Sequence, residues 1–243
     1  MRTSNILIID NETANIEQKN PESIFHDIWT YSLFLYAHQF QSGTIGAQVN
    51  QASRFSQNGF QYQLVAYPKL IGPSYAYLSY AYSNSTLFPS HYYAGEFYIP
   101  LSKHIVASTG VSYYQILQTH LLLNTYSLEC HLGAYSIMAR SNYYIPQQGQ
   151  QVVYWLFTIK RFFFDDPDNF LGLQVETGKT PDLADLSSVG FFIINANGVR
   201  LFTQFHLGHG VFLRLAIGTI KETFLIQTTR TKLFGGIGLK LRF

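Results

Sequence analysis

Ser127, Glu129 and His131 are residue types that serve as nucleophile, acid and base in hydrolytic enzymes, and they stand at alternate positions. In an extended strand, alternate residues share one face but lie about 6.5–7 Å apart along it. That spacing is too wide for direct hydrogen bonds within the strand, which a nucleophile and its base require. The three residues therefore give little support to catalysis.

A second candidate is Glu96, which we expect to have Arg54 or Arg140 as its partner. A carboxylate held beside an arginine is more often a neutralised structural pair than a general base. Metal binding is not predicted either, because no two histidines, nor a histidine and an acid, have the spacing of a zinc site. Cys130 is the single cysteine, and no glycine-rich phosphate loop is present, so we expect no cofactor.

The composition narrows the class of protein. Of the 243 residues, 47% are hydrophobic and 16% aromatic, but only 12% are charged, where soluble domains carry about 25%. The net charge is +2 and the basic residues are scattered, which disfavours nucleic acid as a partner. No stretch approaches the ~18 apolar residues of a spanning helix. An aromatic-rich β protein is the class that fits.

Hydrophobicity alternates with a period of two in segments of about ten residues, the pattern of half-exposed β-strands. In the last segment, Leu239, Leu241 and Phe243 share one face, and Lys240 and Arg242 share the other. Near the start of the chain, Thr30, Ser32 and His38 share one face, and the opposite face carries the apolar residues Trp29, Tyr31, Leu33 and Leu35. The alternation predicts that this apolar face contacts lipid.

About thirteen such segments follow residue 27, and all eight prolines fall between or at the ends of them. Bacterial outer-membrane barrels have an even number of strands. We therefore expect an additional first strand around Asn5 to Asp10, and about 12–14 strands in total. The apolar stretch Ile6 to Ile9 is shorter than the ~7–15 residues of a signal-peptide core. The predicted organisation is an N-terminal segment, 1–26, that holds this strand, followed by a single barrel domain, 27–243.

The charged residues decide which face of the strands is outside. Turning an arginine or lysine toward lipid costs ~2–4 kcal/mol at the midplane, and ten such charges would exceed the ~5–15 kcal/mol of a protein's stability. The fold class predicted is thus all-β, a closed antiparallel transmembrane β-barrel with charges inside. We expect a self-neutralising lumen network of Arg54, Glu96, Glu129, Arg140, Lys160, Glu176, Arg200 and Arg214.

Tyrosines gather near the ends of the predicted strands, as they do in the aromatic girdles at membrane interfaces. High β propensity alone would also enrich tyrosine in strands, and the girdle is the interpretation we favour. Its predicted members are Tyr67, Tyr75, Tyr77, Tyr80, Tyr82, Tyr92, Tyr93, Tyr113, Tyr114, Tyr143 and Tyr144.

The last residues, Gly238-Leu239-Lys240-Leu241-Arg242-Phe243, resemble the β-signal of bacterial outer-membrane barrels. This resemblance implies that Leu239, Leu241 and Phe243 form an assembly signal recognised by the outer-membrane assembly machinery.

A narrower resemblance covers about residues 28 to 101. Its motifs are Arg54-Phe55, Tyr67-Pro68, Phe88-Pro89 and Gly95-Glu96. At these spacings the chain resembles the YaiO-type outer-membrane β-barrel family. The resemblance implies residence in the bacterial cell outer membrane and the barrel fold, and it implies no reaction.

Two functions from different classes remain open. The leading one is a non-enzymatic barrel, either a narrow pore or a structural or export accessory protein. The alternative is a membrane-embedded enzyme that acts on lipid A or cell-surface glycan, although Ser127, Glu129 and His131 would point into the lumen, away from lipid. The expected partners are outer-membrane lipid, lipopolysaccharide and the assembly machinery, and we expect the barrel to be a monomer.

Overall fold

The computed structural model describes residues 4–117, 119–147, 149–164, 166–182, 192–224 and 228–243. These residues form a closed antiparallel barrel in which each strand pairs with its sequence neighbours and β1 pairs with β14. The strands are β1 Ser4–Asn20, β2 Ser23–Phe40, β3 Gly43–Arg54, β4 Gln57–Pro68, β5 Tyr75–Tyr82, β6 His91–Pro100, β7 Ile105–Ile116, β8 Thr119–Leu132, β9 Tyr135–Pro146, β10 Val152–Phe163, β11 Asp166–Pro181, β12 Ile193–Gly208, β13 Val211–Thr223 and β14 Thr229–Arg242.

The 14 strands confirm the expected all-β barrel and the upper end of the predicted range. The predicted additional strand is also present, because Asn5 to Asp10 lie within β1. β1 pairs with β14 from Ile6 opposite Arg242 to Lys19 opposite Thr229, and this ladder closes the wall. Segment 1–26 thus supplies β1 and the first residues of β2 to the same barrel. Among the described residues, no helix has the length and apolar character needed to cross a membrane.

The two ends of the barrel differ. One end, here called the terminal end, holds Ser4, Phe243 and the short β2–β3, β8–β9 and β12–β13 turns. The opposite end, here called the loop end, holds the β5–β6 connection at residues 83–90 and the β9–β10 connection. Outer-membrane barrels have short turns on the periplasmic side and longer loops on the cell-surface side. The eight-residue β5–β6 connection is longer than any connection at the terminal end, and this favours the loop end as the cell-surface side.

The outer wall is apolar on most strands, as the alternation predicts. Ile237 on β14, Ile217 on β13 and Phe157 on β10 are each about half exposed and point away from the lumen. Arg161 is a charged residue on this outward face, near the end of β10, and its guanidinium lies over the rings of Tyr135 and Phe163. The aromatic rings shield this cation where it meets the membrane edge.

The predicted orientation of β2 is wrong. Leu33 pairs with Asp10 and Tyr31 pairs with Glu12, and both acids of β1 point into the lumen. Residues directly opposite one another in a sheet share a face, so Trp29, Tyr31, Leu33 and Leu35 also line the lumen. The outward face of β2 carries Phe34 and Tyr36 toward the terminal end. Toward the loop end the outward residue Ser32 accepts a hydrogen bond from Asn11 at 2.8 Å.

The predicted tyrosine girdle is half right. Tyr80, Tyr82, Tyr93, Tyr113 and Tyr143 face outward near the loop end of their strands, as a girdle requires. The other members face the lumen, since they share the parity of Ser79, Glu96 and Arg140. They are Tyr67, Tyr75, Tyr77, Tyr92, Tyr114 and Tyr144. Near a strand end, tyrosine suits either face of a barrel, so its position alone did not decide the direction.

The residues of the predicted assembly signal share one face at the end of the chain. Leu239, Leu241 and Phe243 share the outward parity of β14, and Phe243 is 66% exposed. The backbone of Phe243 also completes the seam, because Asn5 N–H donates to Phe243 O at 2.6 Å and Phe243 N–H donates to Asn5 O at 3.0 Å.

Deletion of Phe243 should lower the yield of folded barrel severalfold, because it removes both an exposed terminal aromatic residue and two backbone hydrogen bonds of the closing ladder. The measurement is the fraction of heat-modifiable protein in outer-membrane fractions. Phe164→Ala is the matched control, since Phe164 is 92% exposed at the same end but outside the seam. Equal folded fractions for the deletion and for Phe164→Ala would refute the assembly signal.

Candidate functional site in the barrel lumen

The structure places all eight predicted network residues on the lumen face, but it does not join them into one network. Glu96 and Arg140 pair with each other. The remaining cations of the set have other partners: Arg54 lies over Trp29, Lys160 over Phe170, Arg200 beside Glu12 and Arg214 beside Asp10. Glu129 accepts a hydrogen bond from Ser136, and Glu176 accepts one from Gln174 at 3.5 Å.

The Glu96–Arg140 pair is two-pronged. The Arg140 guanidinium donates to both carboxylate oxygens, at 3.1 and 2.8 Å, across the strands β7 and β8 that separate the two residues. Ser108 on β7 donates a third hydrogen bond to the same carboxylate at 2.5 Å. Glu96 is only 6% exposed. A buried carboxylate is stable when paired and fully hydrogen-bonded in this way, and Arg54 takes no part in it.

Two ion pairs cross the closing seam. Asp10 on β1 reaches over β14 to Arg214 on β13, and Glu12 reaches farther, to Arg200 on β12, at 2.9 Å. β14 lies between β1 and β13, and its lumen-facing residues beside Glu12 and Asp10 are Gly236 and Gly238. Because glycine has no side chain, β14 does not block these ion pairs. A Cβ on Gly238 would overlap the carboxylate of Asp10. Neither acid is among the predicted network residues, although the parity of the predicted first strand places Asp10 inside.

A buried cation cluster lies near the loop end. Arg230, 2% exposed, pairs with Asp182 at 2.8 Å and with Glu222, and Lys232 pairs with Glu222 at 2.6 Å. The ring of Trp29 lies 5.1 Å from the Arg230 guanidinium and 5.0 Å from the Lys232 ammonium. This cluster borders a cavity of about 330 Å³. The alternation of the last segment would have placed Arg230 and Lys232 inside, but it does not reveal their partners.

A second cluster lies at the terminal end. Asp168 on β11 accepts a hydrogen bond from Lys240 at 2.7 Å and forms an ion pair with Arg242 at 2.9 Å. Both cations also lie over the ring of Phe212, at 5.0 and 5.5 Å. These lumen-facing charges of β14 thus contact β11, while its outward face carries the apolar residues of the predicted assembly signal.

Ser127, Glu129 and His131 do not assemble into a catalytic triad. The Ser127 hydroxyl is 2.6 Å from that of Ser108, on the neighbouring strand. His131 Nε2 lies 3.7 Å from Glu129 Oε1, which is closer than the spacing along the strand suggests but longer than a hydrogen bond. In the described part of the chain, no group of three or more His, Cys, Asp or Glu residues has the arrangement of a metal site.

The β5–β6 loop, residues 83–90, folds into the lumen at the loop end. Leu87 and Phe88 are 5% and 9% exposed, and they form a cluster with Ala52 and Tyr31, which belong to the lumen faces of β3 and β2. The loop is fixed at its base, because Ser83 N–H donates to Ser90 O at 3.1 Å. The sequence gives no signal for this inward turn beyond the apolar pair itself.

These observations define the class: the protein is an outer-membrane β-barrel with a charged and aromatic lumen. The family model of the YaiO membrane beta barrel domain matches residues 22–183, about two thirds of the chain, and the chain belongs to this family. The match extends well beyond Leu101, where the motif resemblance ends. The protein is located in the bacterial outer membrane. No curated protein matches the chain in sequence.

Solved structures with the same fold share little sequence with the chain. A bacterial polysaccharide outer membrane secretin aligns with a TM-score of 0.62 and 7% identity, covering 98% of both chains. The toluene transporter TodX of Pseudomonas putida has a TM-score of 0.58 and 9% identity, covering 98% of this chain and 89% of its own. The COG4313 outer membrane channel of Pseudomonas putida F1 has a TM-score of 0.57 and 6% identity, covering 99% of this chain and 95% of its own. At these identities the likeness shows the fold alone.

Glu96→Gln should lower the thermal stability of the barrel, because it leaves the Arg140 guanidinium without its buried carboxylate. We expect a loss of about 3 kcal/mol, the low end of what breaking a buried pair costs, since Arg140 is partly exposed. The measurement is the temperature at which the folded gel band converts to the unfolded one. Glu17→Gln is the control, because the Glu17–Lys19 pair is exposed and should contribute little. Similar melting of the two variants would contradict a structural role for Glu96.

Gly238→Ala should disturb the seam, because the added methyl group occupies the space of the Asp10 carboxylate and displaces the Asp10–Arg214 pair. We expect a cost of about 1–3 kcal/mol, typical of overpacking. Gly235→Ala on the same strand is the matched control, since its Cβ would have nothing nearer than Ala216 O at 4.0 Å. Urea unfolding in detergent measures both variants, and equal midpoints would show that the seam tolerates the methyl group.

Proposed function

We propose that the protein is a non-enzymatic, narrow pore for small polar solutes. The observation that carries this proposal is the filling of the lumen by its own side chains. Ion pairs reach across strands, and the space beside them includes cavities of about 330, 410 and 270 Å³. A barrel of 14 strands is wide enough for an aqueous channel only if its inward side chains leave room.

The inward loop supports a narrow bore. Leu87 and Phe88 pack against Ala52 and Tyr31 on the lumen face, at the loop end. A hydrophobic constriction of this kind hinders the passage of water and ions. Solutes that enter from the cell surface must therefore pass beside the loop or displace it.

The charge distribution supports weak ion selectivity. Each lumen cluster of cations also contains carboxylates, as in the clusters around Glu222 and around Asp168. Strong selectivity needs rings of one sign of charge. A self-neutralised lumen suits uncharged or zwitterionic polar solutes better than a single class of ion.

The proposal also covers the molecules that the barrel contacts and its oligomeric state. We propose that the apolar outer wall contacts outer-membrane lipid and lipopolysaccharide, that β14 engages the assembly machinery, and that a monomer is the working unit. A structural or export accessory role is the alternative that the conductance experiment below distinguishes.

Planar-bilayer recordings test the pore. Wild-type protein should give small single-channel conductance, and the double variant Leu87→Ser, Phe88→Ser should raise it severalfold, because the loop loses its apolar contact with Ala52 and Tyr31. The matched control is Leu128→Ser, an outward residue that is 52% exposed and does not touch the lumen. Absence of conductance in both wild type and loop variant would favour the structural role, and a wide-open wild-type channel would contradict the constriction.

A further inference from the structure

A cavity of about 270 Å³ opens from the lumen side of β5–β9, away from the closing seam. It is smaller than the sites that hold drug-sized ligands, at about 300–1,000 Å³. Four tyrosines, each from a different strand, supply most of its aromatic surface: Tyr77, Tyr92, Tyr114 and Tyr144. Such a cavity suits a compact ligand of about one or two rings.

The charges at this cavity cancel. Glu96 and Arg140 both line it, and they are joined by the two-pronged ion pair. An anionic ligand would have to compete with Glu96 for the guanidinium, and a cationic ligand would have to compete with Arg140 for the carboxylate. Because neither charge is free, the cavity favours a neutral ligand over an ion of either sign.

Polar groups face the same space. The Asn142 amide oxygen accepts a hydrogen bond from Arg140 at 3.4 Å, and Asn142 lines the cavity. Thr125, which is 4% exposed, lines the cavity beside it. The amide and the hydroxyl are the kinds of group that hydrogen-bond a ligand rich in hydroxyl groups.

The tyrosine rings supply the complementary apolar surface. The rings of Tyr92 and Tyr114 are 4.9 Å apart and inclined at 43°, so they form a corner rather than a closed stack. Tyrosine offers both an apolar ring face and a hydroxyl at its edge. A sugar ring has the matching chemistry, with C–H groups on its faces and hydroxyl groups around its rim.

We propose that this cavity is a binding site for a neutral saccharide unit, held between tyrosine faces and hydrogen-bonded by Asn142, Thr125 and the Glu96–Arg140 pair. This inference rests on the proposed channel function, and it names the class of solute that the lumen takes. A chain of such units would pass along the β5–β9 wall, opposite the ion pairs of the seam.

The experiment is isothermal titration of the full-length barrel in detergent with maltotriose, cellotriose and chitotriose. We expect saturable binding of at least one of these neutral trisaccharides. Tyr92→Leu should weaken it at least tenfold, whereas Tyr92→Phe, which keeps the ring, should retain most of it. Tyr93→Leu is the matched control, because Tyr93 is the next residue and faces outward at 48% exposure. Each variant is first shown to be folded by its heat-modifiable gel band.

Tri-galacturonate and tetraethylammonium are the anionic and cationic comparisons. Stronger binding of either ion, no binding of any neutral trisaccharide, or equal losses in Tyr92→Leu and Tyr93→Leu would each overturn the inference. Titration does not depend on conductance. If the barrel conducts but binds no saccharide, the site alone is wrong, and if it binds saccharide without conducting, the pore proposal alone is wrong.

Discussion

Every backbone amide and carbonyl group of this chain that lies in the bilayer must find a partner within the protein, because lipid offers none. A sheet can meet this requirement only by closing on itself, so β1 must pair with β14. The length of that ladder, from Ile6 to Lys19 on β1, shows how completely the seam is joined. Closure also fixes the inside and the outside for every strand, since paired residues share a face. The placement of the lumen charges and of the apolar wall follows from this constraint.

Closure concentrates the charged residues in a small space, where they must neutralise one another. The seam shows how the backbone makes room for this, because the glycines of β14 let Asp10 reach Arg214 across an intervening strand. Near the loop end, Arg230 is almost fully buried yet has two carboxylate partners and aromatic rings beside it. A buried cation without such partners would be costly. Loss of one partner from a lumen pair would therefore destabilise the same wall that the backbone ladder closes.

Much of the fold could be predicted from the sequence, because the alternation is clear wherever one face carries charge. Arg214 and Arg200 mark the lumen faces of β13 and β12 without ambiguity, and the parity of the strand count pointed to β1. The orientation predicted for β2 is wrong because its lumen face is apolar and its outward face carries polar residues such as Thr30 and Ser32. Only its register with Asp10 and Glu12 decides its direction. The site was harder to predict. Asp10 and Arg214 are 204 residues apart in the chain, and alternation gives the face of a residue but not its partner across the barrel.

The lumen has two unlike sides, and their difference bears on function. The side formed by β11–β14 and β1 carries most of the ion pairs, which hold the seam. On the side formed by β3–β5, uncharged groups bond to one another, as when Gln48 donates to Gln63 at 3.1 Å and Gln63 donates to Ser79 at 2.7 Å. Amide and hydroxyl groups can exchange such bonds for bonds to a passing solute at little cost, since the net energy of each is small. Ion pairs cannot do so as easily, because separating them exposes charge in a confined space. A lumen with one fixed side and one exchangeable side supports the proposal that polar, uncharged solutes move along the tyrosine and amide wall.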